Sequence, residues 1–498
     1  MQKILDRSPF QLAMISGFLV GCAYPPLPGI TAWFGFLPII HIWQTQSPRE
    51  SARWSFFSSV IANLISLYWI GLNSGAGMVA VLFSLFGAIL YLGIFWAMVG
   101  WLVAWVENKT ANSLSIIPFL WVTMEWIRSF GPLGFPWANL ATTQTVFLPV
   151  IQMVDITGTE GVGFWLLLVN VFLYITIHSE GKKRNFILCS SALFLLPWIM
   201  GIIRLPAYAF DKEQPHREVA VLQPNINPNQ KWEASFRPRL YEIMDSLNAE
   251  AMAINPNLVL WPEAALPAYM RVSSKRRDYE WLVMEKGIPI LMGTVDFKRN
   301  STGRRVFNSS IYIGLDGNKI YHKKFLVPFA EYIPLSDNFP VLKKLNFGQA
   351  NFTAGTEFTT FPLDSIFFSN MICYESSHPA VARGFVQNGA RFLTIEANDA
   401  WLRNSSGVRQ HFELARLRAV ELRTSIVRSA NTGISGIIHP SGKVENKVLF
   451  GDQDVFKGMI ALNGELTFYA RYGSVFAQLC FILTLIQFLW LIRRSKPY

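Results

Sequence analysis

Ser365-Ile-Phe-Phe-Ser-Asn-Met-Ile-Cys373-Tyr-Glu375 is an apolar run that stops at a thiol. Aromatic and β-branched residues over so short a length predict a buried strand. A helical pattern follows at 378–388, so the cysteine falls at a strand-to-helix turn. A nucleophile carried there projects into a cleft. The other reading is a core thiol, because free cysteine behaves as a small hydrophobe. Cys22, Cys189 and Cys480 lie in apolar stretches, and the four cysteines form no C-x-x-C pair or disulfide framework. Cys373 alone sits in the polar part of the chain.

Around it, strand-like runs bounded by turn residues occur at 219–222, 258–261, 288–293, 310–314, 390–396, 425–429 and 434–439. Helical patterns intervene at 237–253 and 410–422, which predicts an α/β domain with a mixed sheet. No internal repeat is visible. Two further stretches put chemistry at a strand end. Leu258-Val-Leu-Trp-Pro-Glu263 carries a carboxylate at its tip, and Tyr321-His-Lys323-Lys-Phe-Leu-Val-Pro-Phe329-Ala-Glu331 carries an ammonium and a second carboxylate. Taken singly, Glu263 reads equally as a solvated turn residue and Lys323 as part of a basic loop.

Only 15% of the 498 residues are charged and 51% are hydrophobic, against about a quarter charged in soluble chains. Apolar runs lie at 10–24, 30–43, 54–72, 78–106, 114–130, 162–177, 186–203 and 475–492. A crossing needs roughly 20 residues, so about eight transmembrane helices are expected, the first two short. The first run is not read as a cleaved signal, because Tyr24-Pro25-Pro26 makes a poor small-residue cleavage site.

The charge of +11 then finds its place. With a cytoplasmic N-terminus, the inside segments hold Lys3, Arg7, Arg49, Arg53, Lys109, Lys182, Lys183, Arg184, Arg493, Arg494 and Lys496, while the loop after Phe130 has no Lys or Arg. That is the positive-inside pattern. It predicts a transmembrane region at 1–204 with about seven helices, an external domain at 205–471, and a returning helix with a short basic tail at 472–498. The basic surplus is topological, so nucleic acid is not expected as a partner.

Jointly these stretches resemble the nitrilase superfamily and, within it, the apolipoprotein N-acyltransferase family. Further matches are Gln223-Pro-Asn225 with Lys231-Trp232, Asn398-Asp-Ala-Trp401, Gln410-His411, Ala415-Arg416-x-Arg418-Ala419 with Glu421, Glu125-Trp126, Gly134-Phe-Pro-Trp137, and Gly158-x-Glu160-Gly161. Two departures are Ala330, where the family usually has glycine, and the 403–409 loop, which lacks the usual Gly- and Pro-containing composition. The resemblance covers nearly the whole chain. It implies an α-β-β-α sandwich joined to a multi-pass helical bundle in the bacterial inner membrane, with the catalytic domain periplasmic and both termini cytoplasmic. It implies a Glu263, Lys323, Cys373 triad, with Glu331 orienting the lysine and Tyr374 and Glu375 shaping the site. Trp232, Phe329 and Trp401 would lie on substrate-binding or gating loops.

The residue types fit that chemistry. A thiol with a pKa of about 8.5 needs a base to attack an ester at neutral pH, and a fixed ammonium, helped by a backbone N–H near Tyr374, stabilises the oxyanion. The family takes an acyl chain from a phospholipid, phosphatidylethanolamine being the expected donor, and passes it to the α-amine of a diacylglyceryl-cysteine on an apolipoprotein. Ester to thioester to amide is a ping-pong route. It calls for no cofactor and no metal, and neither a P-loop nor an H-E-x-x-H is present. The competing readings are a membrane-anchored amidohydrolase with the same triad, and a transporter or receptor, for which Glu125 and Arg128 near a helix end are the support.

Overall fold

The computed structural model describes residues 2–179, 183–300, 303–336, 339, 341, 351–462 and 464–494. Lys182 and Lys496, assigned above to the cytoplasmic side, lie outside the described residues. The chain divides into two compact units. One comprises Met1–Gly71, Val81–Pro206 and Tyr472–Tyr498; the other joins Leu72–Ala80 to Ala207–Arg471.

In the first unit every apolar run contains a helix: Pro9–Gly21, Leu37–Thr45, Pro48–Leu67, Met78–Thr110, Ile117–Arg128, Glu160–His178, Lys183–Arg204 and Val475–Arg494. Among the described residues, four helices are long and apolar enough to cross a membrane: Pro48–Leu72, Met78–Thr110, Glu160–His178 and Arg184–Tyr208. The structure thus supports four spanning helices where about eight were expected. Local breaks shorten several of the others: Ile30–Trp33 and Ser113–Ile116 are 3-10 turns, leaving helices of 9 and 12 residues. At 1.5 Å per residue, such helices cover well under about 30 Å.

Small residues let the helices of this unit touch. A Cβ at Gly17 would stand 2.4 Å from Ser58 O, and Ser51, Ser55, Ser58 and Ser59 form the buried face of Pro48–Leu67. Lipid gives helices no hydrophobic reason to associate, so close backbone approach supplies the contact. Glu125 and Arg128 are buried as well. Leu140 N–H donates to Glu125 Oε1 at 3.0 Å and Arg128 Nη2 donates to Ala138 O at 2.9 Å. These charges fasten the irregular 136–144 segment, which removes the support they lent to a transporter.

The second unit holds two six-stranded sheets, the two β layers that the resemblance implied, where the strand pattern alone predicted a mixed sheet. The first runs β12-β1-β2-β3-β4-β5 and the second β11-β10-β9-β8-β7-β6. Their strands are β1 His216–Gln223, β2 Leu258–Leu260, β3 Ile290–Asn300, β4 Gly303–Gly314, β5 Gly317–His322, β6 Phe361–Leu363, β7 Ile366–Ile372, β8 Ala390–Ala397, β9 Ile426–Ala430, β10 Ser435–Ile438, β11 Val444–Val448 and β12 Asp454–Ala461. Both sheets have the same pairing order: one antiparallel edge, two parallel ladders, then two antiparallel ones. The connectivity therefore repeats although the sequence does not.

Period-two alternation builds the layers. Val219 and Val221 enter the core shared with the second sheet, while Ala220 and Leu222 pack under the helices Arg237–Ala253 and Lys275–Lys286. The helices Pro379–Gln387 and Ser406–Leu422 contribute Val381, Phe385 and Phe412 to the shared core. All eight strand-like runs are strands. Strands β5, β6, β11 and β12 were missed: β6 is three residues long, and β11 is mostly exposed and polar.

One polar group is sealed among these layers. Glu396 on β8 accepts from Ser310 Oγ on β4 at 2.6 Å, and Asn370 on β7 donates to the same Ser310 at 2.7 Å. Burial pushes the Glu396 carboxyl well above its ordinary range, which favours the protonated form in the folded protein. A carboxyl raised in the native state favours folding below its unfolded pKa, and that contribution is lost as pH rises through the native value. Glu396→Gln is therefore expected to unfold at no lower temperature than the parent above neutral pH, and to flatten the fall in Tm between pH 5 and 8. A steeper fall in the variant would disprove the neutral assignment.

Candidate active site

The cysteine turn is built from within. β7 ends at Ile372, and Cys373 opens the 3-10 turn Cys373–Ser377 with φ of +52°. A left-handed backbone is costly for a residue with a Cβ, and Glu375 is one group that holds it. Its Oε2 accepts Ile372 N–H at 2.8 Å, while Oε1 accepts the Tyr321 hydroxyl at 2.7 Å and the N–H groups of Lys324 at 2.7 Å and Phe325 at 3.2 Å. One buried carboxylate thus ties the nucleophile's turn to the lysine's loop. Burial pushes Glu375 up, and these donors pull against it.

Glu263 follows β2, where Pro262 ends the ladder. The loop lies hard against β3: a Cβ at Gly293 would come within 2.4 Å of Ala264 N and 2.6 Å of Glu263 Cα. Only a glycine permits that approach. Lys323 follows β5 and is 1% exposed. Its Nζ stands 2.9 Å from Glu331 and 3.8 Å from Glu263. Glu331 Oε2 also accepts Val327 N–H at 2.8 Å, so its loop is closed on itself.

The charges are coupled. Burial alone would lower the Lys323 ammonium, but Glu331 and Glu263 outweigh it and hold the pKa above the ordinary lysine value. Burial raises Glu263, with Lys323 opposing. Burial, then the Glu263 charge, push the Cys373 thiol well up, with Lys323 again opposing. The resting site therefore has a protonated thiol, a carboxylate whose proton affinity is raised, and a permanent cation. That is the state a general base needs before it takes a proton.

The structure gathers Glu263, Lys323, Cys373, Glu331 and Glu375. Tyr374 is 6% exposed in the cysteine turn. Trp232 is 52% exposed and follows Lys231, whose Nζ reaches Glu263 O at 3.4 Å. Phe329 is the left-handed residue of its turn, φ +64°, and its N–H bonds Tyr332 O at 2.8 Å. The conformational demand in that turn falls on Phe329, beside the Ala330 departure. Trp401 lies in the turn Asp399–Leu402, its carbonyl receiving Ser74 N–H at 3.1 Å.

Sequence reasoning missed Asn308. Its Nδ2 donates to Glu263 Oε1 at 2.8 Å and to Glu331 Oε1 at 2.9 Å, bridging both carboxylates. The signal was a polar residue in the apolar run Val306–Gly314, read as starting only at 310. Cys373, Asp399 and His411 also bring metal-type donor atoms within 4.8 Å of one another. His411 Nδ1 already meets Asp399 Oδ1 at 2.6 Å and its Nε2 meets Cys373 O at 3.0 Å. The ring offers no spare lone pair, so this set does not fit a metal.

Residues 16–172 match the model of the apolipoprotein N-acyltransferase N-terminal domain, and residues 218–448 match that of the carbon-nitrogen hydrolases. An apolipoprotein N-acyltransferase of Geobacter metallireducens is 32% identical over 96% of this chain and 94% of its own length. One from Chlorobaculum tepidum is 29% identical, with 96% of each covered. Among solved structures, an amidase from Nesterenkonia sp. aligns over 53% of this chain and 95% of its own at 16% identity and a TM-score of 0.37. With relatives of one kind matching from end to end, the chain belongs to the apolipoprotein N-acyltransferase family.

Proposed function

We propose that this membrane enzyme transfers an acyl chain from a phospholipid, through a thioester on Cys373, to the α-amine of the N-terminal diacylglyceryl-cysteine of apolipoproteins. The observation that carries the reading is the buried Glu263–Lys323–Glu331 cluster acting on Cys373, in a chain whose residues 16–172 match the apolipoprotein N-acyltransferase N-terminal domain. Glu263 takes the thiol proton as sulfur attacks the ester carbonyl. Lys323 and the Tyr374 N–H hold the oxyanion, and lysophospholipid leaves with the proton from Glu263. The lipoprotein amine then attacks the thioester, Glu263 takes a proton from nitrogen, and the thiol is restored. Trp232, Phe329 and Trp401 act as loops that admit lipid and exclude water. Phosphatidylethanolamine is the proposed donor.

Purified protein given phosphatidylethanolamine and a diacylated lipopeptide with a free α-amine is expected to yield N-acylated peptide, detected by mass. Release of free fatty acid at the same rate with or without peptide would establish an amidohydrolase-like enzyme instead.

The proposed setting is the inner membrane with about eight crossings, segments 1–204 and 472–498 as the membrane parts, 205–471 periplasmic and both termini cytoplasmic. The uncharged turn at 73–77, which seven crossings from a cytoplasmic start put outside, lies in Leu72–Ala80, and that segment groups with Ala207–Arg471, which supports a common side for both. Reporter fusions after Gly181 and after Leu205 are expected to report cytoplasm and periplasm respectively. The same side from both would remove the topology and the lipid argument together.

A further inference from the structure

Behind the nucleophile lies a buried chain of side chains with no part in the acyl-transfer steps above. His411, on the helix Ser406–Leu422, is 1% exposed, as is Asp399 after β8; Arg428, on β9, is fully buried. His411 Nε2 lies 3.0 Å from the carbonyl oxygen of Cys373. That oxygen is an acceptor only, so Nε2 donates. Nδ1 faces Asp399 Oδ1 at 2.6 Å, and the other oxygen of Asp399 takes Arg428 Nη2 at 2.7 Å. The same Nη2 lies 3.0 Å from His411 Nδ1, and Arg428 Nε donates to Ile434 O at 3.0 Å. Ser376 Oγ adds a bond of 2.9 Å to the Cys373 carbonyl and sits 3.0 Å from His411 Nε2. Burial alone would raise Asp399, but His411 and Arg428 hold its carboxyl below the ordinary aspartate range.

We propose that His411, steadied by Asp399 and Arg428, is a positioning residue that sets the oxyanion-binding N–H of Tyr374 by pinning the carbonyl of Cys373. The Cys373–Tyr374 peptide is trans, since Pro25-Pro26 is the cis bond among the described residues. A planar trans peptide points its C=O and N–H in opposite directions. Fixing one end fixes the other, and this peptide follows a residue in a strained left-handed conformation. Without His411 the oxygen keeps only the rotatable Ser376 hydroxyl as a side-chain donor, the peptide is freer to rock and the N–H loses its aim. A hydrogen bond to the carbonyl also polarises the peptide and strengthens the N–H as a donor. Three elements of the fold, β8, β9 and the helix Ser406–Leu422, thereby converge on one backbone atom of the nucleophile.

The inference rests on the transferase reading, and two reactions of the same thiol separate them. Acylation by phospholipid passes through an oxyanion; alkylation by iodoacetamide does not. For His411→Leu in the full-length protein, the rate of thioester formation is expected to fall about 100-fold, the cost of one misplaced oxyanion donor. The half-saturating phospholipid concentration and the alkylation rate should stay within about threefold of the parent. His411→Gln, whose amide donates from nearly the position of Nε2, is expected to recover about tenfold of the loss. Equal falls in acylation and alkylation would overturn the inference, as would thioester formation near the parental rate in His411→Leu, or no recovery in His411→Gln. Absence of thioester in the parent itself would instead overturn the transferase reading, and this inference with it.

Discussion

Incubated with phospholipid and no acceptor, the protein is expected to accumulate a mass increase of one acyl chain on Cys373, stable through isolation. Cys373→Ala removes the only sulfur in the cluster and should show none. Glu263→Gln should form the adduct at least about 100-fold more slowly, within the range for general-base loss. The reason is electrostatic: the thiol is pushed up by burial and by Glu263 itself, so hardly any thiolate exists until that carboxylate accepts the proton. A diacylated lipopeptide with a free α-amine should discharge the adduct to an amide, while one with a blocked amine should leave it in place. An adduct that forms equally fast in Glu263→Gln would remove Glu263 as base.

The second large effect separates two neighbouring lysines. Lys323 is buried between two carboxylates. Lys324 is partly exposed, lies over the Phe358 ring at 4.2 Å, and bonds Thr356 O. Lys323→Ala leaves Glu263 and Glu331 without the ammonium they share. Breaking a buried pair in this way costs roughly 3–5 kcal/mol, and loss of an oxyanion donor slows chemistry by about 100- to 1,000-fold. Lys324→Ala is expected to transfer within about threefold of the parent, as a surface substitution should. Lys323→Arg should also be poorly active, because a planar fork does not occupy the place of a compact ammonium. Normal transfer by Lys323→Ala with a dead Lys324→Ala would shift the site by one residue.

What the sequence revealed, and what it hid, follows from the range of each interaction. Cys373 and Glu263 each stand at the end of an apolar run, and strand ends can be read locally, while Lys323 follows the polar strand β5 and was singled out through the resemblance. Glu331 and Glu375 came only through resemblance, since their work is done on N–H groups brought in by other segments. Asn308 was hidden because a buried amide in a strand looks like a boundary until both carboxylates it bridges are in place. In the membrane unit every apolar run held a helix, but hydropathy missed the short helices Leu148–Ile151 and Val154–Thr157 and did not fix helix length, because 3-10 turns such as Ser113–Ile116 shorten the helices without changing composition. β11 and β12, an edge strand in each sheet, were missed for a like reason: β11 is polar and mostly exposed, and β12 finds its partner, β1, far away in sequence.

That distance has a kinetic consequence. β12 lies beside β1, with His216 opposite Ala461, so the first sheet gains its final strand only after nearly the whole chain has been synthesised. Contacts of such sequence separation form late, since loop-closure entropy must be overcome before they contribute. Until then β1 presents an open edge to its surroundings. A ribosome-bound chain ending before Asp454 would therefore hold Glu263 and Lys323 on a sheet still lacking its edge, facing a second sheet that already carries Cys373, and competence of the thiol would arrive with the last strand. Chains truncated within β12 should be recognised as unfinished by proteases that seek exposed strand edges, well before any loss of the reacting groups themselves.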